Sequence, residues 1–287
     1  MSQLIQLRQR IQAIETIKKI THAMRLISMS THTRLRSRQE PLKQYQTTAQ
    51  HLFLRIKHAT PDWHNAILSP QSDEPKELYI LVGSQKGLCG NFNISLFSLF
   101  NKTVLEKHTK PLSIIAVGKK AIDYLKDHKI APYKSFFPFN SSTLTTITSD
   151  ILETILNESQ PYTHVYVVSN VLKSFFVQRP HITNLIPFDL PEDTTRASSE
   201  IDTNQPTEYL WEQPVNEVLD ALAIQCLNAQ LEYLLFQSLI AEQAARFVSM
   251  DSSTRNADNL LEETKLQYNK LRQAKITKEL TELVGSQ

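Results

Sequence analysis

Apolar residues recur every three or four positions at both ends of the chain. Near the start, Leu4, Leu7, Ile11, Ile14, Ile17, Ile20, Met24 and Ile27 form one stripe of a helix. Toward the end, Val218, Leu222, Cys226, Ala229, Tyr233, Phe236, Ile240, Ala244 and Phe247 do the same. Steps alternating three and four average about 3.5, the repeat of a left-handed coiled coil. Helix breakers agree with the stripes. No proline precedes Pro41 and none follows Pro214, while glycine is absent before Gly83 and between Gly118 and Gly285. Pro41 permits a kink or break in the first helix. Residues 215–284 carry no breaker at all, and one continuous helix there would be roughly 100 Å long. That exceeds the width of a small domain, so most of it is not expected to be a simple core element. Past Phe247 the stripe thins to Leu261, Tyr268, Leu271 and Leu280. A helix tip with so few apolar anchors calls for a partner.

Between the two ends the pattern changes to short apolar runs separated by helical stretches. Strands are predicted at residues 78–82, 112–117 and 165–169, with an edge strand within 174–186 that carries Pro180. Helices are predicted at 94–106, 119–126 and 144–156. Strands alternating with helices point to an open, largely parallel sheet. Polar, proline-bearing segments at 61–76 and 187–214 flank it. The expected architecture is a long antiparallel coiled coil of the terminal helices, residues 1–57 and 210–287. A Rossmann-like α/β domain is inserted at 76–190.

Composition narrows the class without choosing a function. The chain has 287 residues, of which 41% are hydrophobic and 21% charged, and no apolar run approaches the ~20 residues that span a bilayer. Arg8 and Arg10 interrupt the first apolar stretch, which does not read as a signal peptide. Two cysteines, Cys89 and Cys226, make no disulfide framework and suit a reducing compartment. Charge divides the ends. Residues 1–57 hold eleven Lys/Arg against Glu15 and Glu40, whereas 192–287 hold sixteen Asp/Glu against eight Lys/Arg. Opposite signs suit two helices lying side by side, although exposed pairs contribute only ~0–1 kcal/mol each.

Candidate chemistry is sparse. The sharpest motif, Gly83-Ser-Gln-Lys-Gly-Leu-Cys-Gly-Asn91, lies between a predicted strand and a predicted helix. A P-loop needs G-x-x-x-x-G-K-[ST], and here Gly90 is followed by Asn91 and Phe92. A tight structural turn therefore outweighs a phosphate cradle. Cys89 is a lone cysteine with no histidine at motif spacing, and the nine histidines form no zinc pattern. No serine-nucleophile motif is present. The basic first helix could attract nucleic acid, but no recognition-module grammar accompanies it.

Longer motifs carry a resemblance. Ala241-Glu-Gln-Ala-Ala-Arg-Phe-Val-Ser-Met-Asp251 is followed by Leu266-Gln-Tyr-Asn-Lys-Leu-Arg-Gln-Ala-Lys-Ile-Thr-Lys-Glu-Leu-Thr-Glu-Leu-Val284. These closely resemble the terminal helix of the gamma subunit of F-type ATP synthases. Arg8-Gln-Arg-Ile11, Lys19-Ile-Thr-His-Ala-Met24 and Lys86-Gly-Leu-Cys-Gly-Asn-Phe-Asn93 resemble other motifs of that family. Departures are Thr31 where a lysine is usual, Lys86 for an arginine and Phe247 for a methionine.

The resemblance implies a non-catalytic rotor shaft that couples proton flow to ATP synthesis or hydrolysis, with no cofactor or metal of its own. Its implied partners are the alpha, beta and epsilon subunits and the membrane c-ring, with no nucleic acid. It would be peripheral, on the cytoplasmic face of a bacterial inner membrane. Arg246, Arg272, Gln273 and Thr277, with Met24 on the first helix, fall at positions that meet beta-subunit loops in the family. Tyr209, Trp211 and Glu212 fall where gamma meets epsilon and the rotor ring. A nucleotide-binding α/β switch and a coiled-coil adaptor stand as alternatives.

Overall fold

The computed structural model describes residues 2–60, 63, 65, 76–106, 112–158, 160–187 and 212–284. Helix α1 spans Ser2–Ala59 and continues through Pro41. Burial of Leu35 on one side of the proline and of Ala49, Phe53 and Ile56 on the other holds the helix against its neighbours. That packing offsets the one backbone hydrogen bond the ring removes. The last helix, α5, spans Val215–Val284. Cross-helix partners run in opposite directions along the pair. Gln50 donates to Gln230 (3.1 Å), Arg25 pairs with Asp251 (2.7 Å), Lys18 with Asp258, and Glu15 with Lys265 (3.0 Å). The pair is thus antiparallel.

The sheet contains β1 (Glu77–Val82), β2 (Ser113–Val117), β3 (Lys134–Phe136), β4 (His164–Ser174) and β5 (Val177–Ile186). Their order is β3-β2-β1-β4-β5, parallel except for β5, which pairs antiparallel with β4. Pro180 sits on the outer strand, opposite Asn170, the part of a sheet where a residue without an N–H is tolerated. Helices α2 (Phe92–Phe100, prolonged by a π-helical turn Asn101–Leu105), α3 (Lys119–Asp127) and α4 (Leu144–Leu156) complete the domain.

Strand alternation sorts the core into two layers. Tyr79, Leu81, Ile114 and Ala116 pack with Leu96 and Phe100 of α2 and with Ala121 and Leu125 of α3. Leu78, Ile80, Val82, Ile115, Val117, Val165 and Val167 face the other way. There they join α4, the second half of α1 and the first part of α5 in one large cluster. Two glycines permit close approach beside the sheet. A Cβ on Gly83 would lie 2.6 Å from the Ala121 backbone nitrogen, and Gly118 holds φ +87° against the Gly83 carbonyl.

Most of α5 lies outside the core, as the sequence suggests, but a sizeable part of it does not. Residues 219–245 of α5 are largely buried, with Leu219, Leu227, Leu231, Leu235 and Ile240 sealed from solvent. About 40 Å of that helix is therefore core. The reason is that α1 covers one side while α4 and β4 cover another. Only the distal half of the pair is a free-standing coiled coil.

Candidate functional site

Two regions carry the candidate residues, and the first joins the glycine-bearing loop to α5. Glu242 and Arg246 lie one helical turn apart, with side chains 3% and 5% exposed and 2.5 Å between Arg246 Nη2 and Glu242 Oε1. The carboxylate also accepts the Gln85 backbone N–H at 3.0 Å. The guanidinium donates to the carbonyls of Lys86 (3.0 Å) and Gly87 (3.2 Å) and to Gln243 Oε1 (3.0 Å). Charged donors and acceptors at these distances form strong, directional bonds. The loop is braced from within as well. Asn93 accepts the Ser84 N–H (3.0 Å) and donates to Ser84 Oγ (2.8 Å), while Ser84 Oγ donates to the Lys86 carbonyl (2.8 Å). Gln85 Oε1 accepts the Phe139 N–H at 3.0 Å, tying in the segment that precedes α4.

This geometry favours the tight turn over the phosphate cradle. In open α/β sheets, ligands settle beyond the carboxyl ends of the strands, where strand order reverses. That place here follows β1 beside β4, and the Gln85 amide there is already taken by the Glu242 carboxylate. A phosphate would have to displace an anion that a buried arginine holds in place. Cys89 offers no nucleophile either. It is 3% exposed, and burial raises its thiol above the ordinary value, so it stays protonated near neutral pH. Cys226 is pushed up to about 12 by burial alone.

The structure brings Met24 and Arg246 to one place. Both line a cavity of about 280 Å³ between α1, the loop and α5, together with Arg34, Lys86 and Gln243. Met24 is half-buried. Arg246 is not a surface group: its donors are spent on the chain itself. Sequence reasoning missed Glu242, Gln85 and Gln243. The available signal was the Glu–Arg spacing of four, set among Ala241, Ala244 and Ala245, small residues that allow close packing.

Arg272, Gln273 and Thr277 lie elsewhere, about 40 Å farther along α5. All three are exposed, and Thr277 Oγ1 donates to the Gln273 carbonyl at 3.0 Å. They belong to the second region, the distal helix pair. Ile11 and Ile14 pack there on Ala257 and Leu261, and Thr254 donates to Thr21 (3.0 Å) between the helices. Beyond Leu261 the apolar residues lose their cover. Leu266 is 63% exposed, and Leu271, Ile276, Leu280 and Val284 are also exposed. On α1, Ile5, Ile17, Ile20, Leu26 and Ile27 face solvent. Cross-helix ion pairs use little of α1's positive charge: on its distal part Arg8 and Arg10 form no ion pair with the described residues, and nearer the loop neither do Arg34, Arg36 and Arg38. An exposed apolar ladder with unpaired basic groups beside it is the mark of an interaction surface. Of the three residues assigned to the foot, Glu212 is exposed, while Tyr209 and Trp211 lie outside the described residues.

Comparisons with known proteins concern the whole chain. The family model described as ATP synthase matches residues 3–287. An ATP synthase gamma chain of Clostridium perfringens is 29% identical over 284 residues, covering 98% of this chain and 96% of that one. One of Francisella tularensis is 28% identical over 292 residues, covering 99% and 98%. Among solved structures, a chain of the Euglena gracilis mitochondrial ATP synthase rotor aligns with TM-score 0.63 at 17% identity, covering 96% of this chain and 99% of its own. A central-stalk and c-ring structure from Tetrahymena thermophila contains a chain that aligns with TM-score 0.57 at 18% identity, covering 81% and 98%.

Proposed function

Because this chain belongs to the ATP synthase family, we propose that it is the gamma-type central shaft of such a complex, turning inside a ring of alpha and beta subunits. The observation that carries this reading is the contrast along the helix pair. The proximal half is locked into the α/β domain through a continuous core and the Glu242–Arg246 clamp. The distal half projects with apolar and basic residues uncovered. Such a lever transmits motion of the domain to whatever encloses its tip. An asymmetric tip that contacts each surrounding conformer unequally shifts their populations, and the coupling acts in both directions. No step requires covalent chemistry from this chain.

Arg272, Gln273 and Thr277 are proposed as direct contacts with beta-subunit loops. Forked guanidinium donors match a carboxylate and hold register. Met24, beside Arg246 and about 40 Å back along the pair, is proposed as a separate beta-subunit contact from α1. Arg246 is proposed to act at one remove, by fixing the Lys86–Gly87 backbone. At the other end, Tyr209, Trp211 and Glu212 are proposed to meet epsilon and the c-ring, since aromatic side chains anchor interfaces with few rotamers to freeze. No helix among the described residues is long and apolar enough to cross a membrane. A peripheral position, held through the complex on the cytoplasmic face of a bacterial membrane, fits this reading.

Affinity capture of the tagged chain from native membranes tests the proposal. Recovery with alpha and beta subunits is the expected result, and recovery of the chain alone or with nucleic acid contradicts it. The same preparation tests the foot. Trp211→Ala with Glu212→Ala should still recover alpha and beta, while ATPase activity moves from the membranes into the wash. Activity that stays membrane-bound and coupled would show that the segment only fastens a loop to the α/β domain.

A further inference from the structure

The turn of the β4–β5 hairpin reaches both long helices. Phe175 meets the His32 ring of α1 edge-on, with centroids 4.9 Å apart at 88°. It also packs on Phe247 of α5 at 5.2 Å. Gln178 closes the turn by donating to the Phe175 carbonyl at 2.7 Å. Phe175 is thus a tip wedged between the helices at the level of the loop clamp. His32 is 3% exposed, and its Nε2 has no hydrogen-bond partner among the described residues. A buried imidazole without an acceptor is tolerated when neutral and costly when charged.

We propose that His32 is a proton-operated latch, whose neutral ring holds the β4–β5 turn against the helix pair and whose protonation releases it. Among the charged groups on the neighbouring elements, none is a free countercharge for an imidazolium. On α1, Arg36 lies one turn away and is of like charge. On the hairpin, the flanking charged residue is Lys173. On α5, Glu242 is committed to Arg246 and the Gln85 amide, and Asp251 to Arg25 and Arg255. Burial first, and Arg36 second, hold the His32 ring below the ordinary histidine value.

The direction of the effect follows. Well above pH ~6.5 the ring is neutral whether docked or released, and docking is unaffected. As pH falls further, the released, solvated ring takes a proton that the docked ring refuses. Docking then weakens by up to about tenfold per pH unit, until pH passes the docked-state value. The latch belongs to the chain itself and does not depend on the identity of its partners.

Hydrogen exchange of the full chain, corrected for the intrinsic pH dependence of amide exchange, tests this. Between pH 7.5 and 5.5, amides of residues 172–178 should lose protection, by up to about tenfold, with little change in α4 or β1. His32→Phe, which keeps a ring but accepts no proton, should flatten that response. An equal loss in His32→Phe and wild type, or no loss in wild type, overturns the latch. If His32→Phe does not fold, the titration of ¹³C-labelled histidine in the wild-type chain decides. A His32 midpoint below the ordinary value that rises in Arg36→Gln supports the proposal. A midpoint at or above the ordinary value overturns it.

Discussion

Arg246→Met should destabilise the folded chain by about 3–5 kcal/mol, because it strands the Glu242 carboxylate in a buried site without its countercharge. The loss would appear as a lower midpoint in thermal or urea unfolding. The Lys86 and Gly87 carbonyls lose their donor in the same step, so the loop should become susceptible to proteolysis before the rest of the domain. Removing both charges, with Glu242→Leu added, should recover much of the stability, since an apolar pair of similar volume leaves no uncompensated ion. The loop amide of Gln85 would then lack its acceptor, so recovery should be incomplete. A single Arg246→Met variant as stable as wild type would show that the clamp is decorative.

Arg272→Ala with Gln273→Ala should do the opposite. Both side chains are exposed on the distal helix, so the isolated chain should unfold within about 0.5 kcal/mol of wild type. Within the assembled complex, coupled ATP turnover should fall about tenfold, which corresponds to about 1.4 kcal/mol of lost contact at the rate-limiting step. The contrast is the useful part: Arg246 is expected to act on folding, and Arg272 and Gln273 on coupling. Unchanged turnover in a fully assembled complex would remove the last two from the contact surface.

Much of the architecture was legible in the sequence, for identifiable reasons. The helix pair follows from a three-four spacing and from ends almost free of breakers, with only Pro41 inside α1, and β1, β2 and β4 follow from short apolar runs bounded by turn residues. What stayed hidden depended on tertiary context. Strand β3 is three residues long with Lys134 and Ser135 exposed, so it carries no period to detect. The β4–β5 hairpin is longer than its apolar signal, because the polar stretch before its turn is held by ladder pairing. In α5, the single stripe through Cys226, Ala229 and Phe236 led to a one-faced helix. Leu219, Leu227, Leu231, Leu234 and Leu239 lie off that stripe and marked a second buried face. At the candidate site, an arginine in a long charged helix looks solvated until the glycine-bearing loop is placed over it. Its partner at four residues' spacing was the clue.

The central claim is that this chain turns as one rigid lever within a ring. It is tested most directly by fixing the ring to a surface and attaching a visible probe to the α/β domain, on a cysteine placed at exposed Lys129, in the purified ATP-hydrolysing complex. Unidirectional rotation of the probe on ATP addition, slowed in proportion to turnover by Arg272→Ala with Gln273→Ala, is the predicted result. A probe that stays still while the complex hydrolyses ATP at its full rate would contradict the account.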